Sequence, residues 1–149
     1  MSALRVEDLN VHYGTIHAVQ GVSFSVGERE IVSIVGSNGA GKSTIMWTLA
    51  GVVGRSGGNI EIFGERLPRK PHEVVARGLA LVPERRRLFT PLSVEENLVM
   101  GAYRRKKGKE LQDDMERCFQ LFPILKQRMG QRAGTLSGGE QQMLAISRA

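Results

Sequence analysis

The sequence predicts an α/β fold on three observations. The first third alternates apolar and polar residues with the two-residue period of half-buried strands. The run Ile31-Val32-Ser33-Ile34-Val35 is largely apolar and β-branched, as in a strand covered on both faces of a mostly parallel sheet. After Pro91 the pattern becomes that of capped, amphipathic helices. A chain of 149 residues, 41% hydrophobic, suits one core and leaves no room for a second full domain.

Taken in order, Leu4, Val6, Leu9 and Val11 form a broken alternation that closes at Tyr13 and the turn residue Gly14, which predicts a first strand. Val22, Phe24 and Val26, alternating with Ser23 and Ser25, predict a second. Ile31–Val35 is the covered strand, and Ile45, Met46 and Leu49 mark a helix after it. Ile60 and Ile62 alternate with Asn59 and Glu61 as a further strand, and Leu79-Ala80-Leu81-Val82 reads as a second covered one. Ser93 and Glu96 have capping-box spacing and should open a helix through Leu98 and Met100. Leu111, Met115, Cys118, Phe119 and Phe122 make one apolar helical stripe that Pro123 ends. The basic run Arg104-Arg105-Lys106-Lys107-Gly108-Lys109 reads as a solvated loop.

The formal charge of +6 suits an anionic partner but speaks to association, not to fold. Cys118 is the only cysteine, which excludes an internal disulfide and a multi-cysteine zinc cluster and fits a reducing compartment. Arg5, Glu7 and Asp8 stand where a secretory signal has its apolar core, and the apolar runs are too short to cross a bilayer.

The sharpest signal is Gly36-Ser37-Asn38-Gly39-Ala40-Gly41-Lys42-Ser43-Thr44, which matches G-x-x-x-x-G-K-[ST] between a predicted strand and a predicted helix. Such a loop wraps backbone N–H groups round phosphates, because its glycines allow close approach and the following helix N-terminus favours negative charge. Lys42 supplies a point charge for the β and γ phosphates, the Ser43 hydroxyl is the expected Mg²⁺ ligand, and Thr44 reaches the α phosphate. ATP and Mg²⁺ are the expected ligands. The alternative, a glycine-rich turn into a capped helix, does not need both flanks to be right.

Leu136-Ser137-Gly138-Gly139-Glu140-Gln141-Gln142 opens another helix, with Ser137 and Glu140 again spaced as a capping box. Taken alone, this is equally a well-capped helix with no ligand. GSNGAGKST followed by LSGGEQQ, with Tyr13-Gly14 and VPERRRLFTPLSVEENLVMG from Val82 to Gly101, resembles the ATP-binding subunits of ABC transporters over the whole chain. Val82-Pro83-Glu84 and RAGTLSGGEQQMLAI from Arg132 to Ile146 are most similar to the second ATP-binding subunit of branched-chain amino-acid importers.

The resemblance implies a P-loop NTPase domain of ABC type. Its nucleotide-binding core and antiparallel β-subdomain would span residues 1–92, its helical subdomain 93–136, and the start of the signature helix 137–149. It implies head-to-tail pairing with a second ATP-binding subunit, identical or different, so that Ser137, Gly138, Gly139 and Glu140 serve the partner's nucleotide. A helix N-terminus with glycine N–H groups and a serine hydroxyl is chemically suited to a γ-phosphate. Tyr13 corresponds to the aromatic that stacks on adenine. Glu84 stands where the family usually has a glutamine reaching Mg²⁺; the branched-chain subfamily is similar in having Glu, and Arg85, Arg86 or Arg87 would offset its charge.

The implied function is ATP hydrolysis driving import through separate transmembrane permease subunits, from a peripheral position on the cytoplasmic membrane face. No direct nucleic-acid partner is expected, because no sustained heptads separate the two motifs as in chromosome-organising relatives. The alternatives are a non-transport ABC ATPase acting on the ribosome, which would carry two such cassettes in one chain, and a nucleotide-binding fragment without catalysis. The strand ending in Asp-Glu that supplies the general base, and a later histidine, have no counterpart in these residues. The expectation is therefore an N-terminal portion that stops before its catalytic strand. It should bind nucleotide without turnover and fold poorly, with Ile31–Val35 along an unpaired edge.

Overall fold

The computed structural model describes residues 2–84, 87–105 and 108–149. It divides into two compact units, Met1–Leu81 and Val82–Ala149.

The first unit is built on an antiparallel sheet of β1 (Ser2–Tyr13), β2 (Ile16–Gly27), β3 (Gly57–Ile62) and β4 (Glu65–Arg66), in the order β2-β1-β3-β4. Val6 lies opposite Phe24 on one side and Ile60 on the other. The broken alternation of β1 has a physical cause. Asp8 takes a left-handed φ of 46°, the register shifts between Val6 and Leu9, and both of those side chains therefore face the core although they are three apart. Gly58 permits this kink: a side chain there would strike the Glu7 and Asp8 carbonyls. The freed Asp8 N–H donates to the Ser23 hydroxyl at 2.9 Å.

Two helices, α1 (Lys42–Leu49) and α2 (Pro71–Ala76), complete this unit. Ile45 and Leu49 of α1 and Val74 of α2 join Val6, Leu9, Val11, Val19, Ile60 and Ile62 in one core. Full burial of each such aliphatic side chain is worth about 1.5–3 kcal/mol.

The predicted strands at Ile31–Val35 and Leu79–Val82 are not formed. Ile31 is 96% and Val35 90% exposed, and only Ile34 packs against the core. An apolar β-branched run has the capacity for burial, but a strand also needs a hydrogen-bonded neighbour, and no described strand lies beside either segment. The Leu79 N–H instead donates to the Val74 carbonyl, closing the end of α2.

The second unit is helical: α3 (Val94–Gly101), α4 (Lys109–Leu121), α5 (Pro123–Gln127), a 3₁₀ turn (Ala133–Thr135) and α6 (Gly138–Arg148). Ser93 caps α3 as predicted, its hydroxyl accepting from the Glu96 N–H at 3.1 Å while its own N–H donates to Glu96 Oε2 at 2.7 Å. Phe119 is buried and Leu111, Met115, Cys118 and Phe122 are half-buried, so the predicted stripe faces the core. Pro123 ends α4 and also serves as the first residue of α5, where its missing N–H costs nothing. Of the basic run, Arg105 pairs with Asp114 at 2.7 Å, while Lys106 and Lys107 lie outside the described residues.

Candidate nucleotide-binding site

The glycine-rich segment of the first unit forms a tight loop. The Ala40 N–H donates to the Ser37 carbonyl at 3.2 Å, and Gly39 and Gly41 take φ of 85° and 88°, which side chains rarely adopt. Gly41 has a second constraint, because a Cβ there would come 2.5 Å from the Ala18 carbonyl oxygen and 3.2 Å from Val19 Cγ2. The loop therefore lies directly against β2 at its last glycine.

Lys42 opens α1 but turns back over the loop, its Nζ donating to the Gly36 carbonyl at 2.8 Å and the Ser37 carbonyl at 2.7 Å. Gly41 contributes no side-chain cap, and α1 has no acidic residue in its first turn. The first-turn N–H groups of α1 thus keep a positive end unopposed by any carboxylate of their own helix. Gly36, Ser37, Asn38, Gly39, Ala40 and Ser43 are exposed, while Lys42 and Thr44 are half-buried. Thr44 also accepts, through its carbonyl, from the buried Thr48 hydroxyl at 2.8 Å.

Tyr13 ends β1 opposite Ile16 and is 46% exposed. Ala18, which Gly41 abuts, lies two residues past Ile16, roughly 7 Å along the strand. One end of the β1–β2 hairpin therefore brings a partly exposed aromatic to the neighbourhood of the loop.

In the second unit, Ser137 caps α6, accepting from the Glu140 N–H at 3.3 Å and donating its own N–H to Glu140 Oε2 at 2.8 Å. Ser137, Gly138 and Gly139 are exposed, and a Cβ on Gly139 would meet nothing within 4 Å. Glu140 is committed otherwise: besides the cap it pairs with Arg128 at 3.0 Å. The Ser137 N–H and hydroxyl, aided by Arg128, hold its carboxyl below the usual carboxylate range, outweighing a smaller opposing effect of burial. The surface this turn offers is thus the hydroxyl and the glycine backbone, with the carboxylate behind it.

Glu84 is exposed in a turn of this second unit, and Arg87, three residues on, has a left-handed φ of 44°. Arg85 and Arg86, two of the cations expected to offset it, lie outside the described residues. Among the described residues no group of three or more His, Cys, Asp or Glu side chains converges as a metal cage. No helix among them is long and apolar enough to cross a membrane.

Two residues that pattern reading passed over organise the segment after Glu84. Asn97, fully buried in α3, donates to the Phe89 and Ser93 carbonyls at 3.0 and 2.9 Å and accepts from the Phe89 N–H at 3.1 Å. Arg148, at the end of α6, donates to the Arg87 carbonyl at 2.9 Å. An asparagine among helix-surface residues and an arginine in a last helical turn carry no sequence signal that separates them from solvated side chains.

Comparison with known proteins bears on what this arrangement serves. The sequence profile of the ABC transporter family matches residues 19–149. The chain belongs to the ABC transporter family. The match contains Gly36–Thr44, Glu84 and Ser137–Glu140, while Tyr13 precedes it. Among ABC relatives, the high-affinity branched-chain amino acid transport ATP-binding protein BraG of Pseudomonas aeruginosa is 48% identical over 98% of this chain and 63% of its own length. The probable branched-chain amino acid transport ATP-binding protein LivF of Archaeoglobus fulgidus is 36% identical over 98% and 62%. The phosphate import ATP-binding protein PstB of Corynebacterium efficiens is 32% identical over 100% and 63%. The chain thus spans somewhat under two thirds of the length of these ABC proteins. A nucleotide-free ATP-binding cassette from an ABC transporter superposes with a TM-score of 0.84 at 26% identity, over 100% of this chain and 64% of that one.

Proposed function

We propose that this chain carries the nucleotide-binding part of an ABC ATPase subunit that powers import of branched-chain amino acids through separate transmembrane subunits. The observation that carries the reading is Lys42, held over its own loop by two carbonyls beside an uncapped helix N-terminus. These are the features that an outside polyphosphate can exploit. ATP fits them: the N–H groups of Gly39–Thr44 serve the phosphates, Lys42 exchanges a carbonyl for a phosphate oxygen, and Tyr13 stacks on the adenine.

Magnesium fits the donor set too, since it binds through one or two protein oxygens plus phosphates and needs no all-protein cage. Ser43, exposed in the loop of the first unit, would supply one such oxygen, and a bound ion would add positive charge to the phosphates. Glu84 carries a hard-oxygen carboxylate of the kind magnesium takes, and its metal role remains what the family resemblance implies. Ser137, Gly138 and Gly139 of a second ATP-binding subunit close over the γ-phosphate, with Glu140 fixing the turn that presents them. The exposure of Ser137, Gly138 and Gly139 supports that role. The protein sits peripherally on the cytoplasmic face of the membrane, and nucleic acid has no part in its work. The solute follows the higher identity to BraG and LivF than to PstB.

Hydrolysis asks for a general base at the end of an apolar strand, and no Asp-Glu pair occurs in the 149 residues. Residues 1–149 alone therefore bind ATP without turning it over. In the full-length protein, Lys42→Ala should weaken ATP binding at least about tenfold, the equivalent of 1.4 kcal/mol. Unchanged affinity by titration calorimetry would overturn the reading.

A further inference from the structure

Three arginines of the first unit come together with no carboxylate to balance them. Arg55 lies in the loop between α1 and β3, Arg66 in β4, and Arg69 just before α2. Arg55 is half-buried and the other two are exposed. Burial disfavours the charged form of Arg55, and the Arg66 and Arg69 guanidiniums disfavour it further. Among the described residues, the side chain of none of the three has a hydrogen bond or an ion pair. The three carboxylates between residues 55 and 77 are engaged elsewhere. Glu61, opposite Arg66 in the register of β3 and β4, accepts from the Asn59 amide at 2.9 Å. Glu65 pairs with Arg77, and Glu73 faces Lys70 and His72 at 3.8 and 3.9 Å.

Bringing like charges together is unfavourable, and an anion seated among them reverses the sign. A cleft of about 70 Å³ opens beside the cluster, lined by Thr48, Gly54, Arg55, Pro68 and Arg69. Pockets for drug-sized ligands run to about 300–1,000 Å³, so this one admits a small oxyanion and not a whole nucleotide. The N–H groups of Gly54 and Arg55, on its rim, donate to no acceptor among the described residues. Capping of α1 does not explain the arginines. The Met46, Trp47 and Thr48 carbonyls at that helix end already accept from the Ala50, Val52 and Gly51 N–H groups. The cleft is also remote from the phosphate loop, which lies at the other end of the eight-residue helix, about 12 Å away.

We propose that Arg55, Arg66 and Arg69 form a second anion site, separate from the phosphate loop, that takes a phosphate group, either inorganic phosphate or the phosphodiester of a lipid headgroup. The planar guanidinium fork matches phosphate oxygens two at a time. Arg55 and Arg69 supply such forks at the walls of the cleft, and Arg66 adds charge from β4. The site needs nothing from the nucleotide reading, because none of its residues belongs to the phosphate loop.

The test uses the full-length protein carrying Lys42→Ala, so that the phosphate loop lacks its own cation. One arm titrates inorganic phosphate by calorimetry. The other sediments the protein with vesicles of phosphatidylcholine, alone or mixed with phosphatidylglycerol. Arg55→Gln with Arg69→Gln should weaken binding of the probe that binds by at least about tenfold. Arg104→Gln with Lys109→Gln removes the same charge from the basic run and should weaken it less than about twofold. Arg55→Lys, which keeps the charge and loses the fork, should fall between. A loss confined to the arginine pair supports the site, as one for free phosphate if it is seen in the calorimeter and as one for a lipid headgroup if it is seen only with the mixed vesicles. Binding of neither probe, or a loss no larger in the arginine pair than in the control pair, would overturn it. Should substitution of the half-buried Arg55 prevent folding, Arg66→Gln with Arg69→Gln, both exposed, takes its place under the same criterion.

Discussion

At the scale of single residues, Gly41 and Glu140 make opposite demands on their sites. Gly41 has no room for a side chain and no ordinary backbone region to retreat to. Gly41→Ala should therefore destabilise the first unit by about 1–3 kcal/mol, the cost of a strained left-handed residue, read as a lower denaturation midpoint. Glu140 instead provides a pH dependence. Its carboxyl is held below the usual range in the fold, so the stability it contributes is fully present above the ordinary carboxylate pKa and is lost as pH falls through the lowered value. Hydrogen exchange at the Ser137 N–H should quicken, relative to the intrinsic rate, below about pH 4.5, the ordinary carboxylate value, and Glu140→Gln should remove that dependence. Gly41, Lys42 and Ser137 were legible in the sequence because each acts through local backbone geometry. Asn97 and Arg148 were not, because their roles exist only once α3 and α6 lie side by side.

At the scale of elements, the best-read parts are those whose cause is also local. Both capping boxes form as spaced, and the apolar stripe of α4 turns inward, since neither depends on distant partners. Ile31–Val35 went the other way, because periodicity records what a segment could bury and not whether a neighbour pairs with it. The kink at Asp8 stayed hidden for a related reason: its cause is Gly58, on another strand. The same contrast ranks two substitutions near α3. Ser93→Ala removes one cap and should cost about 1 kcal/mol. Asn97→Ala strips a buried amide from the Phe89 N–H and carbonyl at once, and should cost about 2–4 kcal/mol. Equilibrium urea unfolding of the two variants should give that order; a reversed order would mean that the buried clamp contributes less than the exposed cap.

At the scale of the whole molecule, the first unit combines a well-buried core with an apolar segment left in solvent. Leu9 and Ile60 are fully buried, whereas Ile31 and Val35 are almost fully exposed within a few residues of the phosphate loop. An exposed β-branched segment with no described strand beside it is a template for pairing with another chain, and the net charge of +6 opposes association only weakly once salt screens it. Residues 1–149 in isolation should therefore aggregate at micromolar concentration and bind a hydrophobic dye. Replacing Ile31 and Val35 together by Lys should suppress both. The pair should move the unfolding midpoint little, within about 0.5 kcal/mol, because neither side chain contributes buried area to the fold. A large destabilisation by the two lysines would show that the segment packs against the core in solution, and the source of aggregation would then lie elsewhere, first among the exposed Phe63 and Leu121.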